Sequence, residues 1–336
     1  MVKPQIKLLC SHISHMALHF VWRDSGVAQK HGFELKVAVT GWKLNGEPPP
    51  GSWNDRAPQL LDGAFDFLSG LHHETYIYRA RGDKRFVYLA QAQNDWDDRV
   101  VVSAEVSTPR DLEGKKFWVT TNAPCVYGNL RHALKLADVD LDRVEFVGLT
   151  GQGSRSAREI MESVARGDAS AASVDLPFDY IGEQLGMHRL EIPSVPVIHN
   201  TTLCANREWV VRNEETTLAV LRSMTEAIHF FKTQRDKSCE ILAERLAPLL
   251  DLRSFDEVEH LYDGWASLLS PKPYPHPLAV WNVYDLDSGH DPDVNFIGPF
   301  EIWDLSYLRT IDDEGFIDQL YGGAREAANP PVNAAI

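Results

Sequence analysis

Leu60 to Gln91 reads LLDGAFDFLSGLHHETYIYRARGDKRFVYLAQ, and this stretch decides the fold class. A helix end and the turn Gly63-Ala64-Phe65-Asp66 lead into an apolar strand, Phe65 to Leu68. Ser69-Gly70 stops the strand, and a helix carrying Thr75, Tyr76 and Tyr78 follows, ending near Gly82. A second buried strand, Phe86 to Ala90, completes a strand–helix–strand unit. In an open α/β sheet, ligands bind beyond the carboxyl ends of the strands, where loops and helix N-termini present free amides. Here that loop presents His72, His73 and Glu74.

The same grammar extends in both directions. Upstream, Ile6 to Leu9 reads as a strand, followed by the loop Cys10-Ser11-His12-Ile13-Ser14 and a helix from His15 to Lys30. His31-Gly32 closes that helix, glycine suiting the left-handed position after a last turn. Phe33 to Val37 is a strand, GWKLNGEPPPGSWND is loop, and Asp55 to Leu61 is a short helix. Downstream of Pro109 the pattern restarts with the strand Phe117–Val119, the loop Thr120-Thr121-Asn122-Ala123-Pro124 and a helix from Cys125 to Leu136. Then come a strand Val144–Val147, a turn Gly151-Gln152-Gly153-Ser154, a helix Ser156–Ala165 and a strand Ala171–Val174 that ends at Asp175. The pieces LLDGAFDFLSG and VARGDASAASVD hold the same place in their halves, and repetition at this scale outweighs any single motif. Beyond Asn200 the chain reads as helices, Glu208–Gln234, Cys239–Leu250 and Phe255–Leu269. The proline-rich turn PKPYPHP, closing helices and a loose tail follow. The expected division is 1–100 for a first lobe, 101–203 for a second, and 204–336 for a return to the first with C-terminal helices.

At 336 residues the chain exceeds one average core, and its 44% apolar content is ordinary for a folded protein. A net charge of −15 argues against nucleic acid or an anionic membrane surface as partner, since both need a basic face. The four cysteines, Cys10, Cys125, Cys204 and Cys239, form no CxxC pair, so neither a standard zinc site nor a disulfide framework is expected. No apolar run is long enough to span a bilayer, so no membrane insertion is expected. Read from Met1, the chain carries no secretory leader and is expected in the cytoplasm; a leader ahead of Met1 would place it in the periplasm.

The phrases SGVAQKHGFEL, LLDGAFDFLSG, DLEGKKFWVTTNAP, IMESVARGDASAASVDLPF and NREWVVRNEETTLAVLRSMTEAIHFF together cover most of residues 6 to 235. In order and spacing they resemble the type II periplasmic binding protein superfamily, in its nitrate/sulfonate/taurine and thiamine-pyrimidine branch. The resemblance implies an α/β protein of two Rossmann-like lobes joined by crossing strands, closing like a hinge on a small organic molecule, anionic or aromatic. It implies an ABC permease as partner if the chain is exported. The same branch contains enzymes, among them an aryl-sulfinate desulfinase and a pyrimidine synthase, so a cofactor-free decarboxylase or desulfinase is the alternative. The synthase carries a cysteine-rich cluster after its second lobe, where this chain has only Cys204. The desulfinase uses a cysteine in the first strand–helix loop, the region of Cys10, Ser11 and His12 here, but the following segment transfers no histidine or arginine by alignment.

Cys10 alone reads as a small buried apolar residue. Ser11 and His12 follow the first strand and are expected to face a ligand. His15 and His19, spaced i, i+4, could hold a metal; with no acidic third ligand beside them they read as surface or packing histidines, and no metal or cofactor is expected. His72 and His73 can donate to an anion or act as acid or base near neutral pH. Consecutive loop residues rarely point the same way, so one is expected to meet the ligand and the other to pack; Glu74 favours the helix N-terminus. Thr120, Thr121 and Asn122 offer hydroxyls and amides at a helix start, either binding an anion or capping the helix. Asp175 ends a strand, and Asn200 and Thr201 lie at the return crossing. Trp42 and Trp53 flank the long loop, either stacking on an aromatic ligand or packing. Ligand contact is therefore expected from Ser11, His12, His72, His73, Thr120, Thr121, Asn122, Asp175 and Asn200, with His12, His72 and His73 as the catalytic set if the protein is an enzyme.

Overall fold

A computed structural model describes residues 3–44, 51–121, 124–149, 157–323 and 328–329. Ten strands are described, in chain order: β1 (Gln5–Cys10), β2 (Glu34–Val39), β3 (Phe67–Ser69), β4 (Phe86–Gln91) and β5 (Arg99–Val102), then β6 (Lys116–Val119), β7 (Glu145–Gly148), β8 (Ala171–Val174), β9 (His188–Arg189) and β10 (Thr202–Asn206). The chain forms two compact units. The described residues within 1–94, 197–250 and 265–332 form the first; those within 95–196 and 251–264 form the second.

Each unit is built on one mixed five-stranded sheet. In the first the order is β2-β1-β3-β10-β4, and in the second β7-β6-β8-β5-β9. β1 pairs parallel with β2 and β3, while β10 runs antiparallel to β3 and β4. In the second sheet β6 pairs parallel with β7 and β8, and β5 is the antiparallel strand between β8 and β9. Both sheets thus follow one plan, with an antiparallel strand from a distant part of the chain inserted fourth. β4, FVYLAQ, is buried at every position, as a strand covered on both faces must be.

The opening stretch folds as read, with small shifts. β3 begins at Phe67 rather than Phe65, because Asp66 turns its carboxylate onto the Lys7 amide at 2.8 Å and its own amide onto the Lys7 carbonyl. The helix is Glu74–Ala80, and Gly82 takes a left-handed φ of +91° just after it. Two helices expected to be continuous are broken. The segment 15–30 is a 3-10 turn, Ile13–His15, then Ala17–Asp24, then Val27–Lys30, because Gly26 at φ +84° leaves the helical region. Glu208–Gln234 is Arg207–Arg212 and Glu214–Thr233, parted at Asn213, whose side chain donates to the Trp209 carbonyl at 2.8 Å.

The first unit's core explains the burial of Ala17–Asp24, where Ala17 through Trp22 are all buried. The helix is covered on its outer side by Glu214–Thr233, and Trp22 Nε1 donates to Ser223 Oγ at 2.7 Å across that contact. In the second unit, helix Phe178–Gln184 lies against β5 so closely that a Cβ on Gly182 would come within 2.7 Å of Val101 Cγ1. Among the described residues, no helix is long and apolar enough to cross a membrane.

Ser223→Ala removes the hydroxyl that meets the buried Trp22 indole N–H in that contact, at almost no cost in volume. It is expected to lower stability by about 1–3 kcal/mol, read as a lower urea midpoint at unchanged slope.

Candidate functional site

The carboxyl ends of β1 and β3 lie side by side in the first unit, and a set of hydrogen bonds fixes the two turns that leave them. The Ser11 amide donates to the Ser69 carbonyl at 3.1 Å. Its hydroxyl donates to the Gly70 carbonyl at 2.8 Å and accepts from Arg56 Nη1 at 2.7 Å. The second guanidinium nitrogen of Arg56 is paired with Glu74, so a buried arginine braces the His72–His73 loop from behind. Glu74 therefore does more than favour a helix end. Gly70 has a φ of +88°, and a Cβ there would lie 2.6 Å from Ser11 Oγ and 3.3 Å from Asn200 Oδ1. Backbone conformation and space both require glycine at this turn.

Histidines line this edge. His12 caps the turn Ile13–His15, its Nδ1 lying 2.7 Å from Ser14 Oγ. His15 and His19, expected at a surface or in packing, are both buried. His19 bridges the His15 carbonyl (3.1 Å) and the Ser69 hydroxyl (2.9 Å), and that hydroxyl donates to the Asn200 carbonyl at 2.7 Å. Burial lowers the His19 pKa from the ordinary histidine value to about 4, so His19 is neutral at pH 7.

His15, His72 and His199 form a chain of rings. The His15 and His199 centroids are 5.2 Å apart and those of His199 and His72 are 5.4 Å apart. His12 extends the chain at 5.7 Å from His15, and His73 at 4.5 Å from His72. The His72 and His73 rings lie together, His72 buried and His73 partly exposed. His73 Nδ1 is 2.6 Å from Asp287 Oδ1. Burial raises the Asp287 pKa, and the neighbouring His73 opposes that rise without cancelling it. The Asn200 amide nitrogen sits 3.1 Å from His15 Nε2 and 2.6 Å from His199 Nδ1, tying two rings to the start of β10. His199 has a ring nitrogen within 4.8 Å of one on His72 in one set of candidate metal ligands, and within 4.8 Å of one on His15 in a separate set.

Of the residues expected from sequence, Ser11, His12, His72, His73 and Asn200 come together in the first unit. Thr120 and Thr121 follow β6 and are partly exposed, and Asp175 follows β8 and accepts the Phe178 amide at 3.0 Å through its carbonyl. These three belong to the second unit. Asn122 and Gly151 to Ser154 lie outside the described residues, as does the Trp53 side chain. Trp42 is partly exposed beyond β2. Arg56, His199 and Asp287 were missed from sequence. His199 stood beside the flagged Asn200, but nothing local marked a buried arginine at a helix start or an aspartate inside a closing helix. Cys10 is buried at the end of β1, and burial pushes its thiol well above the usual range, which leaves no thiolate at neutral pH.

Two α/β units of matching topology, the first with polar strand-end loops gathered at one edge, define the type II periplasmic binding protein fold. The chain belongs to the NMT1/THI5 like family, whose model matches residues 49–238. Similar solved structures include the putative periplasmic sulfonate-binding protein SsuA of Methylobacillus flagellatus, at 12% identity and TM-score 0.65, covering 94% of this chain and 96% of that one. The aliphatic sulphonate binding protein SsuA of Escherichia coli is similar at 15% identity and TM-score 0.62, covering 89% and 96%. The desulfurization enzyme DszB is similar at 13% identity and TM-score 0.61, covering 93% and 100%. No curated protein sequence matches the chain.

Gly70→Ala tests the crowding at this turn against Gly82→Ala, which has a similar φ but nothing within 4 Å of its Cβ. Gly82→Ala is expected to cost about 1–2 kcal/mol of backbone strain. Gly70→Ala should cost about 1–3 kcal/mol more, read from urea midpoints of the two variants.

Proposed function

We propose that the protein is a substrate-binding protein for a small organic anion, aliphatic or aromatic, held at the strand-end loops after β1 and β3 and before β10. One observation carries this reading: Ser11, His12, His72, His73, His199 and Asn200 converge there, braced by Arg56. Imidazole N–H groups and loop amides supply donors that a carboxylate or sulfonate accepts. A net charge of −15 does not oppose it, because exposed charges more than a Debye length away are screened while donors in contact are not. Thr120, Thr121 and Asp175 are proposed as ligand contacts at the second unit's own strand-end loops. The SsuA proteins, named for sulfonates, make alkanesulfonates the first ligands to try. If the chain is exported to the periplasm, its partner is the permease of an ABC importer.

A second reading, a cofactor-free desulfinase or decarboxylase using His12, His72 and His73, follows from the likeness to DszB. The burial of Cys10 weighs against its nucleophilic form, since the thiol that ends β1 is protonated and enclosed.

Calorimetric titration with alkanesulfonates, aromatic carboxylates and aryl sulfinates tests the two readings together, with each mixture then assayed for product. Binding without turnover is expected. His72→Gln and His73→Gln should each weaken the best ligand by about tenfold, the worth of one charge-assisted hydrogen bond. Affinity unchanged in both variants contradicts the site, and sulfite or carbon dioxide release contradicts the binding reading.

A further inference from the structure

The first unit's histidine chain has a geometry that hydrogen bonding to an organic anion does not require. With nitrogen about 2.0–2.1 Å from a zinc-sized ion and ring centres roughly 1.1 Å further out, two imidazoles at tetrahedral positions have centres about 5.2 Å apart. His72 and His199 are 5.4 Å apart centre to centre, with ring nitrogens within 4.8 Å. The two rings come from segments more than a hundred residues apart, His72 from the turn after β3 and His199 from the approach to β10. Both segments are rigidly seated: the Gly70 amide donates to the Thr202 carbonyl at 3.3 Å, and the Ser69 hydroxyl donates to the Asn200 carbonyl at 2.7 Å. Asn200 Nδ2 lies 2.6 Å from His199 Nδ1 and 3.1 Å from His199 Nε2, and this contact seats the ring at the start of β10. His15 lies 5.2 Å from His199, centre to centre.

We propose that His72 and His199 chelate a divalent transition-metal ion of the imidazole-preferring kind, such as zinc, nickel or copper, leaving further coordination positions open to an exogenous ligand. Imidazole favours these ions over magnesium or calcium, which select oxygen. An anion arriving at the same edge then has a cation to meet as well as N–H donors. Metal binding here goes beyond the organic-anion reading and does not depend on it.

The test uses the untagged full chain, stripped with chelator and dialysed. Zinc chloride titration by calorimetry and metal analysis after gel filtration should give one bound equivalent in the absence of any organic ligand. His199→Gln and His72→Gln should each weaken zinc by at least about 10–100-fold. Asn200→Ala, which removes a positioning residue, should weaken it less than either, and His229→Ala, on the helix Glu214–Thr233, should not weaken it at all. Copper(II) bound to the wild type should show nitrogen coupling from two imidazoles by electron paramagnetic resonance, falling to one in either histidine variant; this readout is independent of altered stability. Absence of bound metal in the wild type, or equal affinity and unchanged nitrogen coupling in both histidine variants, overturns the proposal. Loss of metal binding with organic-anion affinity intact would leave the preceding reading standing.

Discussion

The close approach of Ser11 to Gly70 is the constraint on which the candidate site depends. Two parallel strands, β1 and β3, end level with each other, and their continuing chains must diverge without leaving buried polar groups unmet. Ser11 resolves this locally, donating its amide to the Ser69 carbonyl and its hydroxyl to the Gly70 carbonyl while accepting a hydrogen bond from Arg56. There is no room for a side chain at residue 70. That turn sets where the chain leaves β3, and His72 and His73 follow it with their ring centres 4.5 Å apart. Arg56 stiffens the arrangement because its Nη2 also pairs with Glu74, at the far side of the same loop.

From this point the histidines become a set rather than scattered residues. β10 enters antiparallel beside β3, so the segment preceding it, His199-Asn200-Thr201, must arrive at the same edge as the turn following β3. Sheet order therefore assembles the rings. Asp287 adds a buried carboxylate to the end of the row, and its pairing with His73 costs less than isolating either group would. His19 sits beneath, neutral and hydrogen-bonded, and serves the scaffold rather than the surface.

Much of the fold was legible because it rests on local signals repeated twice. The phrases around β3 and β8 gave the same strand-and-turn grammar, and the two sheets share one strand order. The helix breaks at Gly26 and Asn213 were missed because apolar periodicity continues through both, while only backbone conformation records the interruption. At the site, residues flanking a predicted strand end were identifiable, including Ser11, His72 and Asn200. Arg56, His199 and Asp287 were not, since each owes its place to a partner 18 to more than 200 residues away, as Arg56 does to Glu74 and Asp287 to His73. Pairings at that range follow from strand order, and β10 joins its sheet from beyond residues 95–196 of the second unit.

The central claim is that ligand is held at the edge formed by these three segments of the first unit. Amide hydrogen exchange of the full chain, with and without a saturating organic anion selected by titration, tests it most directly. The account predicts slowed exchange over residues 10–15, 69–75 and 199–202 on binding. Protection confined to other parts of the chain, with these segments exchanging as in the free protein, would contradict it.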